Sequence, residues 1–118
     1  MILTTGLGND SVMHAHRLTY KYIEFFFQML MKMKIEVKKP TEEERRRAKS
    51  WPIWEKEPST FSWEYDQKEA CLILEGRSIV KTDEGNVEFG AGDFVTFPKG
   101  LKCTWEIKDR IRKHYKLG

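Results

Sequence analysis

The stretch Gly92-Asp93-Phe94-Val95-Thr96-Phe97-Pro98-Lys99-Gly100-Leu101-Lys102-Cys103 decides the fold of this chain. Residues 94–97 are aromatic or β-branched and suit a pleated, half-buried surface, so they read as a strand. Pro98-Lys99-Gly100 reads as a tight turn. Proline fixes its own φ, and glycine accepts backbone angles that other residues resist. Leu101 to Cys103 then opens a return strand.

The same rhythm continues outward. Short runs rich in β-branched and aromatic residues predict strands over 60–65, 70–74, 78–82, 87–89, 102–107 and 111–116. Between them lie turn residues: Asp66-Gln67, Gly76, Asp83-Glu84-Gly85, Gly90-Ala91-Gly92 and Lys108-Asp109. Many short strands punctuated this way predict an all-β sandwich or barrel. Residues 34–38 alternate charged and aliphatic side chains and predict an opening strand. Thr41, three residues before Glu44, makes a capping box for a short helix, with Glu42 to Arg46 and Glu43 to Arg47 as favourable pairs. Trp51-Pro52-Ile53-Trp54 is read as an irregular segment closing one end of the core, because Pro52 disfavours helix before it.

At 118 residues the chain is the size of one domain. An apolar share of 40% places it among globular chains and not disordered ones. Its 21 basic and 18 acidic residues nearly balance, which gives no electrostatic case for binding nucleic acid. Two cysteines do not make a disulfide framework, so a cytoplasmic setting is the simplest reading, although a Cys71–Cys103 bridge is conceivable.

Residues 1–33 differ from the rest. Apolar side chains recur at Leu18, Tyr22, Phe25, Phe26, Met29, Leu30 and Met33, a helical stripe over about 15–33. Lys21, Glu24, Gln28 and Lys32 interrupt it, so no run approaches the ~20 residues a membrane span needs. Three readings stay open: a packing helix, a surface-membrane anchor, or a gene start placed too early, with Met31 or Met33 the true first residue. The expected organisation is an N-terminal extension over 1–33 and one domain over 34–118.

Gly92, Pro98 and Gly100 fall on G-(x)5-P-x-G-(x)2-H, the second motif of the cupins, with Cys103 at the histidine position. Glu69 and Gly76 supply the carboxylate and closing glycine of the first motif, G-(x)5-H-x-H-(x)3,4-E-(x)6-G. Its histidine positions hold Trp63 and Tyr65 in one spacing and Ser62 and Glu64 in the other. The chain therefore resembles a small single-domain cupin, an RmlC-like jelly roll, over about 34–116. Together with Trp51-Pro52-Ile53-Trp54 and Lys113-His114-Tyr115, these motifs are similar to the ureidoglycine aminohydrolase-type subgroup. That name implies metal-dependent ureide hydrolysis, but the histidines such chemistry uses are missing here.

The resemblance implies that Glu69 faces the barrel interior. Alternation then brings Cys71 and Ile73 to its face, and Leu101 and Trp105 to that of Cys103. The expected pocket is aromatic, lined by Trp63, Tyr65, Cys71 and Trp105, with Glu69 and Cys103 as the candidate catalytic pair. Glu69 would act as a general acid or base, or else be held by a structural partner such as Arg77, Arg112 or His114. Cys103 as a nucleophile would need a base or cation nearby, and only Lys99 and Lys102 are close in sequence. No cofactor is expected; a divalent ion at Glu69 and Cys103 is the alternative, short of the three protein ligands zinc generally takes. His14 and His16 form an H-x-H in the N-terminal segment. The expected partners are a small-molecule ligand in the barrel and a second copy of the chain, paired through sheet edges. Whether the pocket binds a small polar metabolite or transforms it is open at this level.

Overall fold

The structure, a computed structural model, describes residues 21–27 and 34–118. Residues 21–27 are helical (α1) and belong to a unit of their own. The rest of the predicted N-terminal helix, His14, His16 and the alternative starts at Met31 and Met33 lie outside the described residues. No helix among the described residues is long and apolar enough to cross a membrane.

From residue 34 the order is β1 (Glu36–Lys38), α2 (Glu42–Ala48), β2 (Ile53–Lys56), β3 (Ser59–Glu64), β4 (Glu69–Thr82), β5 (Gly85–Gly90), β6 (Phe94–Phe97) and β7 (Lys102–Leu117). All strand pairs are antiparallel. The two long strands β4 and β7 organise the rest. The first part of β4 pairs with β6 and with the end of β7, while its second part pairs with β5 and with the start of β7. β7 in turn carries β3 on its first half and β2 on its second. The strands thus form two faces joined through β4 and β7, a jelly-roll arrangement in which, among the described residues, the hydrogen-bonded ladder does not close into a ring.

Two predicted turns are bends within strands. Gly76 and Lys108-Asp109 were expected to end strands, yet β4 and β7 run through them with register shifts at Ile73/Glu75, Glu75/Arg77 and Arg77/Ser78. Gly76 makes this possible. Its φ is +92°, and a Cβ there would sit 2.2 Å from the Arg110 carbonyl oxygen, so only glycine lets the two strands cross this closely.

The segment expected to be irregular is also corrected. Ile53 and Trp54 begin β2, with Ile53 opposite His114 and Trp54 opposite Lys113. Pro52 sits just before the strand, where its lack of an N–H does no harm, and its carbonyl accepts from Tyr115 N.

Alternation sorts the side chains as expected. Cys71 and Ile73 of β4, Val95 and Phe97 of β6, and Cys103, Trp105 and Ile107 of β7 are buried in one apolar core. The opposite face of β4 places Leu72 against Phe94, Ala48 and Trp51, under α2. That helix has the full capping box: Thr41 accepts from Glu44 N, and Glu44 accepts from Thr41 N. Of its two expected ion pairs, Glu43–Arg47 forms at 2.6 Å.

Candidate functional site

Glu69, the first residue of β4, points inward and is 8% exposed. A buried carboxylate needs a partner. Arg77, Arg112 and His114 were the candidates, and none of them serves. Arg77 binds Glu88 and Asp109, Arg112 binds Glu55, and His114 lies on the outer face with Nδ1 2.9 Å from the Trp51 carbonyl. The partner is Lys113, whose Nζ lies 2.5 Å from Glu69 Oε2. Lys113 is 4% exposed and shares its face with Ile111 and Tyr115. Its ammonium also sits 4.8 Å from the Trp105 ring centre, 4.9 Å from Trp54 and 5.7 Å from Phe97. Those ring faces and the carboxylate compensate a desolvated cation.

This pair lines a cavity of about 600 Å³. Trp54, Phe61, Trp63, Trp105 and Tyr115 give it aromatic sides, with Phe61 stacked on Trp105 at 6.1 Å and 6°. Tyr65 contributes a hydroxyl that accepts a hydrogen bond from Trp105 Nε1 at 3.1 Å. Burial, and then the Glu69 charge, push the Tyr65 phenol far up, so it stays protonated and keeps an O–H to donate.

The cavity lining joins Glu69, Trp63, Tyr65 and Trp105 of the expected set and adds Lys113, while Cys71 and Cys103 do not line it. Cys71 is fully buried, and its thiol donates to the Val95 carbonyl at 3.5 Å. Cys103 is buried too and, with Lys81 and Lys102, lines an adjoining open groove that shares Ser62 and Trp63 with this cavity but does not include Glu69. Burial raises both thiols, Cys71 to about 12 and Cys103 to about 11, so neither is a ready thiolate. Both cysteines are free, which replaces the conceivable disulfide.

The residues present do not fit the metal that a cupin barrel implies. Among the described residues no group of three or more His, Cys, Asp or Glu side chains gathers. The expected ligand positions hold Trp63 and Tyr65 in one spacing, which offer no metal donor of the usual kind, and Ser62 and Glu64 in the other, both exposed; Glu64 and Cys103 line a groove that does not include Glu69. Glu69 is already engaged by a cation, the Lys113 ammonium.

The EutQ-like cupin domain family matches residues 43–115. Among solved structures, the chain is similar to a DUF861 family protein from Thermotoga maritima, with 46% identity over 72% of this chain and 100% of that one and a TM-score of 0.69. The EutQ protein of Clostridium difficile is similar at 24% identity over 70% of this chain and 66% of its own, with a TM-score of 0.53. An ethanolamine utilization protein Q candidate from Salmonella typhimurium is similar at 20% identity over 70% and 68%, with a TM-score of 0.52. The last two show the fold alone. No curated protein matches the chain. With motif positions, strand order and family pattern in agreement, the chain belongs to the EutQ-like cupin family.

Proposed function

We propose that the cavity at Glu69 and Lys113 is a small-molecule site, and that this cupin binds or transforms a small polar metabolite there. One observation carries the reading. A carboxylate and an ammonium 2.5 Å apart, both buried, face an aromatic cavity of about 600 Å³. Apolar cavities with a few convergent polar groups are the usual form of such sites. Lys113 supplies N–H donors, Tyr65 an O–H, and Glu69 an acceptor that can also take up a proton. The protein acts without a metal in this reading, and neither Cys71 nor Cys103, which do not line the cavity, is its nucleophile. Ureide hydrolysis is not part of the proposal, because the residues that would support it are missing.

Indole fluorescence tests the reading, since Trp54, Trp63 and Trp105 all line the cavity. Titration with small hydroxy acids, amino acids and carbonyl compounds should give at least one saturable change. Glu69→Gln and Lys113→Met should each weaken it. A ligand that binds both variants as tightly as the unchanged protein overturns the proposal.

The alternative is a cupin that binds without turnover, and the already closed Glu69–Lys113 pair favours it. Glu69→Gln separates the two once a ligand is in hand. Proton transfer by Glu69 predicts lost turnover with binding only modestly weakened, whereas a binding protein shows no turnover to lose. A homodimer in the cytoplasm completes the proposal. β1 bonds only to β6, and β2 and β3 only to β7, among the described residues, which leaves strand edges for a second copy. Light scattering of the purified chain reads its mass directly.

A further inference from the structure

Lys113 is the one buried lysine among the described residues, and it lines a cavity. Most lysines serve solubility with the ammonium in water; this one ends between aromatic rings with a carboxylate at 2.5 Å. A buried lysine whose Nζ lies against a carboxylate that can take its proton, in a cavity large enough for a small molecule, has the geometry to attack a carbonyl compound as an amine once that proton has crossed. Resting on the small-molecule reading above, we infer that Lys113 forms an imine with a small aldehyde or ketone, and that Glu69 carries the protons.

The steps balance with the groups present. One proton crosses from Lys113 Nζ to Glu69 Oε2, leaving an amine and a carboxylic acid. The nitrogen lone pair forms a C–N bond as the carbonyl π bond breaks, and the carbonyl oxygen takes the Glu69 proton. The nitrogen then returns a proton to Glu69, which delivers it to the hydroxyl. Water leaves as the nitrogen lone pair closes C=N. The product is an iminium with one N–H, a Glu69 carboxylate and one water. Its positive charge lies where the ammonium lay, beside Glu69 and over the Trp54 and Trp105 rings, which would stabilise it as they do the ammonium. Tyr65, held protonated, is a second donor for the departing oxygen.

The test is reductive trapping. The full chain is incubated with acetaldehyde and sodium cyanoborohydride, digested, and mapped by mass spectrometry. Lys113 should be ethylated faster than exposed lysines such as Lys39. In Glu69→Gln, shown to be folded by circular dichroism, labelling at Lys113 should fall by roughly a hundredfold while exposed lysines react as before. Lys113 left unmodified while Lys39 reacts overturns the inference, and so does equal labelling of Lys113 in Glu69→Gln. A parallel fluorescence titration without hydride separates the two readings. Saturable binding of carbonyl compounds without label at Lys113 overturns the imine and leaves the small-molecule site standing. Neither signal nor label overturns both.

Discussion

On β7 Lys113 stands opposite Ile73 and not opposite Glu69, whose partner on that strand is Leu117, yet its Nζ reaches Glu69 Oε2 at 2.5 Å. The contact is made along the interior, by a lysine side chain that spans two same-face positions of β7. It joins the carboxylate of the first cupin motif to the last strand. In doing so it puts a protein cation beside the glutamate that a metal-binding relative would offer to its ion.

This pair should be strongly coupled. Removing one partner leaves the other buried and uncompensated, which costs about 3–5 kcal/mol. Lys113→Met and Glu69→Gln should each lower stability toward urea, Lys113→Met by about that amount and Glu69→Gln by less, since the amide can still accept from Nζ. The double variant should be far less destabilised than the sum of the two. Additive losses in the denaturation midpoints would mean the pair is not coupled in solution.

Gly76 should be the least replaceable glycine of the domain. A Cβ there meets the Arg110 carbonyl oxygen at 2.2 Å and the Asp109 carbonyl oxygen at 2.8 Å, both backbone atoms that cannot swing aside. Gly92 has the same φ of +92° but open space around it, so Gly92→Ala carries only the left-handed strain of about 1–2 kcal/mol. Gly76→Ala should therefore destabilise clearly more than Gly92→Ala in parallel urea titrations. Equal losses would show that β4 and β7 separate easily at the bend.

What could be read beforehand follows from how local each signal was. Gly92, Pro98 and Gly100 act on their own turns, so the strand endings there were legible. Alternation from Glu69 correctly buried Cys71 and Ile73. The pairing of Ile53–Lys56 with β7 was not legible, because a strand is made by a partner some sixty residues away and Pro52 masked its start. Lys113 was hidden by its neighbours, since Arg112-Lys113-His114 reads as solvated charge. The signal that could have exposed it is the alternation Ile111, Lys113, Tyr115, which puts the lysine on the inner face. Cys103 occupies its motif position, but that it lines the adjoining groove and not the cavity holding Glu69 depends on packing that no spacing encodes.

Ser78 should be improvable. Its side chain is fully buried, and its Oγ has no hydrogen-bond partner among the described residues. A buried hydroxyl without a partner keeps its desolvation penalty and returns nothing. Ser78→Ala should raise stability by up to about 1 kcal/mol, seen as a higher denaturation midpoint at unchanged slope. A loss of more than that would show that the hydroxyl holds a bond the packing conceals.

The buried acids should make the fold alkali-sensitive. Burial holds Cys71 up at about 12 and Cys103 at about 11 against an ordinary 9.0, and it also raises the Tyr65 phenol. Below pH 9 folded and unfolded chains keep these protons alike, and stability does not depend on them. Above pH 9 the unfolded chain releases thiol protons that the folded chain retains, so unfolding becomes easier with each rise in pH up to about 11–12. Urea midpoints measured from pH 8 to pH 11 should fall from about 9 upward. Cys71→Ala, compared with the unchanged chain over the same range, should fall less steeply. Midpoints independent of pH across that window would mean that the thiols ionise in the folded chain as freely as in the unfolded one.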